Sequence, residues 1–410
     1  MALILFIIAY LSLFQNISPS QTVLDPLVYG SADGNFHILL EMGEPAQMVY
    51  LRIDMVQPAS WITHNVYRPE HSYSGTKNGE ASSLQIGYFS YDSLIKHETL
   101  KISRKNLNLK NFYFHYLDID RPEGTYDSLS LAYSFNDIRM SLVHQLYESK
   151  ALSKKQFSFV PLDSQVGYLY LGYLPQDKME KENYRKVSSC KVNPNYNTWG
   201  CDIEKVFIDS NVYESNQYAY FNPTTKYTLV PHSFMSFFTE TFMREYLDNN
   251  ICTFDNIIDT YRCDCTQMTS IPKVVIMLGG EKIELNEDVL FTSYKPQCDL
   301  KFKTNVMNMN WVFGSLFIND HIVNFNYDKQ MIDIYSNRTS FPANTDVYYF
   351  VRKGKEIGIL KILFWSAAVV LISVLLVFVY IKVRKTLANK KNKKKKKKSH
   401  NQSSFIESVQ

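Results

Sequence analysis

The sequence predicts a mainly β-structured protein with a few short helices. From residue 35 to about residue 344, short apolar runs such as FHILLEM, VYLRID and HIVNFNY alternate with turn residues. Tyrosine and phenylalanine are abundant, at 29 and 26 residues, whereas glycine is scarce at 15. Aromatic and β-branched residues are enriched in strands. Helical periodicity occurs around residues 135–152 and 231–248, so the short helices are expected there.

The two ends of the chain predict a protein that is exported and anchored in a membrane. Residues 1–20 are apolar and close with Ser18 and Ser20, a pattern typical of a secretory signal peptide; an uncleaved anchor is the alternative. Residues 362–381 form an uncharged apolar run of about 20 residues, which is the length of a transmembrane helix. Basic residues follow this run, so the C-terminal tail is expected in the cytosol and residues 21–357 in the lumen or outside the cell.

The formal net charge of +4 comes from the tail. Residues 390–398 contain eight lysines, so the remainder of the chain is slightly acidic. The composition therefore gives no reason to expect a nucleic-acid-binding domain. Two interpretations of the lysine block stay open and are compatible: it contacts anionic lipid, or it is a stop-transfer signal followed by a solvated tail.

The cysteines agree with an exported domain, since all six lie in the part that is expected outside the cytosol, where disulfides persist. Three disulfides are the simplest account. The Cys263-Asp264-Cys265 segment is not a CxxC motif and no histidine has zinc-finger spacing, so neither a metal nor another cofactor is expected. The sequon at Asn337 predicts a glycan on the same side of the membrane. The six cysteines are Cys190, Cys201, Cys252, Cys263, Cys265 and Cys298.

A faint internal repeat favours two related halves of about 150 residues each. In the first half the apolar strand VYLRID leads to Asp54, and in the second the strand YAYFN leads to Asn222. Each is followed downstream by another apolar strand that ends in small residues, at 128–133 and 311–317.

These elements resemble the pepsin-like aspartic proteases over nearly all of residues 30–342. That family has a GTPxQ run, an apolar strand, and a DTGSS motif with a tryptophan seven residues after the aspartate. Here GEPAQ at 43–47, Asp54 and Trp61 stand at those positions. Residues 157–175 match the end of the family's N-terminal lobe. In the C-terminal lobe Asn222 stands at the position of the second aspartate, and residues 311–335 align without a gap to the closing segment.

The resemblance implies an all-β, bilobal pepsin-like aspartic protease fold, with a peptide cleft between the lobes and a shared sheet at its base. It also implies a Cys265–Cys298 disulfide, which leaves the other four cysteines to pair, and a flap tyrosine, Tyr88, that lines the cleft. The expected organisation is a signal peptide at 1–20, an N-terminal lobe at 21–175, a C-terminal lobe at 176–345, a stalk at 346–361, the transmembrane helix at 362–381 and the lysine-rich tail at 382–410.

The residues at the catalytic positions depart from what the chemistry requires. Two carboxylates must share one proton, so that one acts as base and the other as acid. Asp54 supplies the first carboxylate, but Met55-Val56-Gln57 replaces Thr-Gly-Ser, and the β-branched Val56 is expected to hinder the close approach of backbone amides. At the second position Asn222 cannot hold or pass the shared proton, and Pro223 removes a backbone donor. Ser130 replaces the N-lobe glycine whose C-lobe counterpart, Gly314, is kept.

Three functions are compatible with the sequence. The first is a single-pass type I membrane glycoprotein whose inactive pepsin-like domain binds a peptide or protein in the cleft, outside the cell or in the secretory or endolysosomal lumen. The second is an active aspartic endopeptidase with an atypical dyad, which would need a second carboxylate such as Asp202, Asp209 or Asp248. The third is an adhesion or scaffold protein that uses an outer surface.

Overall fold

The computed structural model describes residues 27–337 except 33, 103–106, 123, 134–140, 163–165, 286, 295 and 307–308. The predicted signal peptide, stalk, transmembrane helix and lysine-rich tail lie outside these residues. Among the described helices, none is long and apolar enough to cross a membrane. Within the described ranges the fold is mainly β with short helices, which confirms the predicted fold class.

The strands of the first half follow the alternation of apolar and polar residues. In β2, for example, Ile38, Leu40 and Met42 are buried whereas Leu39 and Glu41 are exposed, because successive side chains of a strand point to opposite faces. Strands β1 to β10 are, in order, Leu27–Ala32, Asn35–Met42, Gln47–Asp54, Trp61–Thr63, Glu80–Ile86, Phe89–Ile102, Leu107–Leu117, Ser128–Ser130, Gln156–Pro161 and Val166–Leu171.

The second half contributes the remaining strands. Strands β11 to β24 are, in order, Arg185–Lys191, Gly200–Ile208, Asn211–Phe221, Thr228–Pro231, Cys252–Asp255, Thr260–Asp264, Val274–Leu278, Glu281–Leu285, Phe291–Tyr294, Gln297–Leu300, Phe302–Asn305, Trp311–Phe313, Ile322–Asn326 and Met331–Ser336.

Short helices occur in both regions where helical periodicity predicts them. Helix Leu142–Glu148 lies in the first region, and the second holds a continuous helical run with a π-helical turn in its middle. The other described helices are too short to produce a periodic pattern in the sequence. The helical run of the second region is His232–Phe238, Thr239–Met243 and Arg244–Asp248; the other helices are Pro69–His71, Gln176–Lys181, Glu287–Leu290 and Ser315–Asn319.

One sheet joins the two halves of the chain. Its 13 strands have the order β11-β24-β23-β9-β10-β1-β2-β3-β8-β4-β7-β6-β5. Strand β9 of the first half pairs with β23 of the second, with Phe157 opposite Phe325. A seven-stranded sheet, β18-β17-β12-β13-β22-β14-β21, and a four-stranded one, β15-β16-β20-β19, complete the described fold. The shared sheet is the one that the family resemblance implies.

The same four-strand arrangement occurs once in each half. In the first half β3 runs parallel to β8, β8 antiparallel to β4, and β4 parallel to β7. In the second half the same relations hold for β13, β22, β14 and β21. This repeat matches the echo in the sequence, and it places Asp54 and Asn222 at equivalent ends of β3 and β13.

An aromatic cluster ties the two halves together behind these strand ends. Trp199 is fully buried, with its ring centroid 4.7 Å from that of Tyr133, 5.2 Å from Phe325 and 4.5 Å from Tyr327. The Trp199 indole N–H donates to the Leu131 carbonyl over 2.8 Å, and the Tyr327 hydroxyl lies 3.1 Å from the same carbonyl. The cluster therefore supports the segment that follows Ser130.

A histidine beside this cluster is half-buried and favours its neutral form. The ring of His144 packs edge-on against Tyr327 at 4.6 Å, and its Nδ1 is buried and has no hydrogen-bond partner among the described residues. Burial and, to a smaller extent, the positive charge of Lys155 lower the pKa of His144 to about 4, and Asp328 opposes this shift. The unfolded chain titrates near the ordinary histidine pKa of about 6.5.

We expect acid to destabilise the fold through His144. Between about pH 6.5 and pH 4 the unfolded chain binds a proton that the folded chain does not, so the stability present at neutral pH is lost as the pH falls through this window. The expected loss is about 1–3 kcal/mol. Denaturant unfolding at pH 7 and pH 4 measures it. His144→Gln should reduce the pH dependence, and the exposed His71→Gln should leave it unchanged. An unaltered pH dependence in His144→Gln would contradict this account.

Candidate active site

Asp54 closes strand β3 and is held by its own loop. It lies opposite Ser130 of β8, and its carbonyl accepts a hydrogen bond from the Leu131 amide over 2.7 Å. Its side chain is buried, and Oδ1 accepts hydrogen bonds from the amides of Val56 and Gln57, each over 2.8 Å. The expectation that Val56 hinders such contacts is therefore wrong. Val56 is not among the residues with positive φ, so the turn does not need glycine to present these amides.

Asn222 follows strand β13 at the equivalent position. Its amide donates to the Phe313 carbonyl at the end of β22 over 3.0 Å. Its side-chain Oδ1 accepts two hydrogen bonds from Thr224, from the backbone amide over 3.0 Å and from the hydroxyl over 2.7 Å. The Pro223 carbonyl accepts from the Phe36 amide over 3.4 Å, so this loop contacts the first half of the chain.

Asp54 and Asn222 are each bonded within their own loops. In the part of the chain that the structure describes, no hydrogen bond joins their side chains. The alternative carboxylates are bonded elsewhere or exposed: Asp202 accepts from Asn193 over 3.3 Å, Asp209 accepts from the Lys273 amide over 2.9 Å, and Asp248 lies exposed at the end of a helix. Within the described residues, none of the three is hydrogen-bonded to Asp54.

A positive charge lies beside Asp54 instead. Arg52 projects from the same face of β3, and its Nη2 is 4.0 Å from Asp54 Oδ2. Its guanidinium also lies over the ring of Tyr126, 4.9 Å from the centroid. Burial lowers the pKa of Arg52, and Asp54 opposes this shift. Sequence reasoning missed this residue, although a single arginine within the apolar run VYLRID was a visible signal.

The small residues opposite the two loops differ between the halves. The Ser130 hydroxyl lies 2.8 Å from the Gln57 carbonyl and 3.0 Å from that of Pro58, so it braces the loop after Asp54. At Gly314 a Cβ atom would lie 2.3 Å from the Tyr227 carbonyl oxygen, which leaves no room for any side chain. The neighbouring Ser315 hydroxyl donates to the Gly34 carbonyl and so links the two halves.

The hairpin of β5 and β6 lies beside the Asp54 loop. Its two-residue turn begins with Gly87 at a φ of 61°, as hairpin turns of this length require. Tyr88 stands at the tip with 85% of its surface exposed, and the Gln57 side-chain amide donates to the Gln85 carbonyl over 2.9 Å. Trp61 packs beneath the hairpin, in a buried cluster with Leu84. The structure thus places Tyr88 at a hairpin tip with its ring exposed to solvent, and its role as a flap residue that lines the cleft stays a prediction.

Disulfide bonds are confirmed in the described part of the second half. Cys265 bonds to Cys298, the pair that the resemblance implies, and the other four cysteines form Cys190–Cys201 and Cys252–Cys263. Asn337 lies exposed directly after β24, at a position accessible to glycosylation.

Comparison with known proteins agrees with this geometry. The sequence model of the family described as eukaryotic aspartyl protease matches residues 29–336. The crystal structure of an aspartic proteinase from Irpex lacteus superposes with a TM-score of 0.59 at 13% sequence identity, covering 78% of this chain and 99% of that one. No curated protein matches the chain. The two halves and their shared sheet form the bilobal pepsin-like fold, and the chain belongs to the eukaryotic aspartyl protease family.

Proposed function

We propose that this chain is a membrane-anchored aspartyl protease homologue that has lost peptidase activity and binds a peptide or protein segment in its interlobe cleft. The observation that carries the proposal is the loop after β13, which holds the position of the second catalytic aspartate. There an asparagine replaces the aspartate, and its side-chain oxygen is engaged by Thr224 within the loop. An amide cannot share the proton that the two-carboxylate mechanism requires.

The surroundings of Asp54 support the same conclusion. The amides of Val56 and Gln57 still approach Oδ1, as the family's chemistry requires, but the Arg52 guanidinium lies 4.0 Å from Oδ2. A fixed positive charge beside Asp54 has no part in the two-carboxylate mechanism, which needs a second carboxylate and a transferable proton. The loops that build the site are otherwise well supported by Ser130, Gly314 and the strands behind them. In this proposal the family fold is therefore kept while the peptidase activity is lost.

The proposal that the protein is anchored in a membrane rests on the sequence patterns at the N- and C-terminal ends of the chain. A signal peptide at 1–20 and a membrane span at 362–381 make the chain a type I protein, with a glycan at Asn337 and a lysine tail that contacts anionic lipid in the cytosol. The binding domain then lies outside the cell or in the lumen of the secretory or endolysosomal system. Selective permeabilisation followed by antibody detection of tags at residue 21 and at the C-terminus tests this orientation.

We expect the protein to cleave no peptide bonds. The full-length chain, made through the secretory route and purified in mild detergent, is incubated with a random peptide library from pH 2 to pH 7. New termini detected by mass spectrometry should not exceed those of Asp54→Ala, with pepsin as the positive control. Cleavage that pepstatin inhibits and that Asp54→Ala abolishes would contradict the proposal and favour an active peptidase with an atypical dyad.

Peptide binding is expected to depend on the loop after Asp54. Val56 is 37% exposed in that loop, and Val56→Trp should block the cleft and lower peptide affinity at least about tenfold. Val212, which is 43% exposed on β13, offers a matched control, since Val212→Trp adds the same bulk elsewhere. Cross-linking and fluorescence anisotropy measure the binding. Binding that survives Val56→Trp undiminished would favour an adhesion or scaffold surface instead.

A further inference from the structure

The Arg52 guanidinium lacks the hydrogen bonds that a half-buried cation normally makes. Its side chain is only 18% exposed, and its Nε atom is buried with no hydrogen-bond partner among the described residues. Its contact with Asp54, at 4.0 Å, exceeds hydrogen-bond distance. A guanidinium carries five N–H donors in a planar fork, and leaving such donors unmet is costly. The position therefore calls for an acceptor group that these residues do not supply.

A second arginine lies against the same aromatic ring. Tyr126, in the segment before β8, has the Arg52 guanidinium 4.9 Å and the Arg121 guanidinium 5.4 Å from its ring centroid. His37, directly opposite Arg52 in the pairing of β2 with β3, contacts Tyr126 edge-on at 5.8 Å. Arg121 is exposed, so this second charge faces solvent. The ring holds both cations in place by cation–π contact.

The carboxylates beside this cluster are engaged by other groups. Asp54 opposes one arginine, but its Oδ1 is already occupied by the amides of Val56 and Gln57. Asp127 follows Tyr126, yet its side chain turns to Thr63, whose amide and hydroxyl both donate to Oδ1. Arg121 also attracts the Asp127 carboxylate, whereas the buried Nε of Arg52 has no hydrogen-bond partner among the described residues. The Arg52 guanidinium is therefore the group left for a ligand to match.

We propose that Arg52 and Arg121, positioned by Tyr126, make the site beside Asp54 selective for an acidic side chain of the bound peptide. The inference rests on the proposed peptide-binding function. A carboxylate from aspartate or glutamate matches the planar fork of a guanidinium and accepts two parallel hydrogen bonds. In a site partly shielded from water these charge-assisted bonds are stronger than neutral ones. The ligand carboxylate thus accepts from the terminal N–H groups of Arg52, which donate to no described residue.

The test uses full-length protein and a random octapeptide library. Peptides that bind are sequenced, and each acidic residue of the best binders is then changed to the matching amide. We expect one acidic position to be enriched, and its change from glutamate to glutamine to weaken binding about tenfold or more. Arg52→Gln should remove this difference, and Arg121→Gln, at an exposed position, should reduce it. Arg185→Gln on β11 removes the same charge far from the site and should have no effect.

Each other outcome overturns the inference. If peptides bind without an enriched acidic position, the acidic selectivity is wrong while peptide binding stands. The same conclusion follows if the change from acid to amide weakens binding to Arg52→Gln and Arg121→Gln as much as it weakens binding to the unmodified protein. If no octapeptide binds, the proposed function fails together with the inference.

Discussion

Replacing Trp199 with alanine is expected to lower the free energy of unfolding by about 3–5 kcal/mol. The indole is fully buried between the two halves of the chain and contacts Tyr133, Phe325 and Tyr327. Its removal leaves a cavity that these rings cannot fill by small movements, because protein interiors are close-packed. It also removes the hydrogen bond to the Leu131 carbonyl, next to the Asp54 loop.

Urea unfolding of the full-length protein, followed by near-ultraviolet circular dichroism, measures this effect. Trp199→Phe keeps most of the apolar volume and loses the hydrogen bond, so its cost should be clearly smaller, about 1–2 kcal/mol. Tyr73 is 76% exposed, and Tyr73→Ala should change stability by less than about 0.5 kcal/mol. Equal losses in Trp199→Ala and Trp199→Phe would show that packing of the indole is not what holds the halves together.

Much of the fold could be predicted because its signals are local. Apolar runs specify strands, and the spacing around Asp54 and Asn222 specifies where two of these strands end. The pairing of β9 with β23 has no local signal, since the Ser158–Asn324 hydrogen bond joins residues 166 positions apart. That pairing followed from the family resemblance alone. The shortest helices, such as Glu287–Leu290, were not predicted because four residues contain little more than one turn.

The sequence predicted which residues stand at the two catalytic positions, but it did not predict which groups these residues contact. The sequence showed that the second aspartate is an asparagine, but it could not show that Thr224 engages the Asn222 side chain. Arg52 was not predicted, although it is a charged residue in an apolar strand. Its neighbour Tyr126 is distant in sequence, and only the parallel pairing of β3 with β8 brings them together. The Val56 expectation was wrong because it assumed the family's glycine geometry, which this loop does not use.

Introducing a single methyl group at Gly314 is expected to cost about 3 kcal/mol or more. Gly314 lies directly after β22 in the loop that faces Asn222, and its position is crowded by backbone. A Cβ atom there would lie 2.3 Å from the Tyr227 carbonyl oxygen and 2.6 Å from that of Thr225. Backbone atoms cannot turn aside as a flexible side chain can, so Gly314→Ala must displace the loop that carries Thr225 and Asn222.

Gly30→Ala in β1 is the matched control, because the added methyl group would meet nothing within 4 Å and the residue does not have positive φ. We expect it to leave stability unchanged or to raise it by less than about 1 kcal/mol, since alanine restricts the unfolded chain.

Ser130→Ala tests the equivalent position of the first half, where loss of the hydroxyl should cost about 1–2 kcal/mol. Near-ultraviolet circular dichroism in urea compares the three variants. If Gly314→Ala were as stable as Gly30→Ala, the loop after β13 would not be held by the close backbone contact described above.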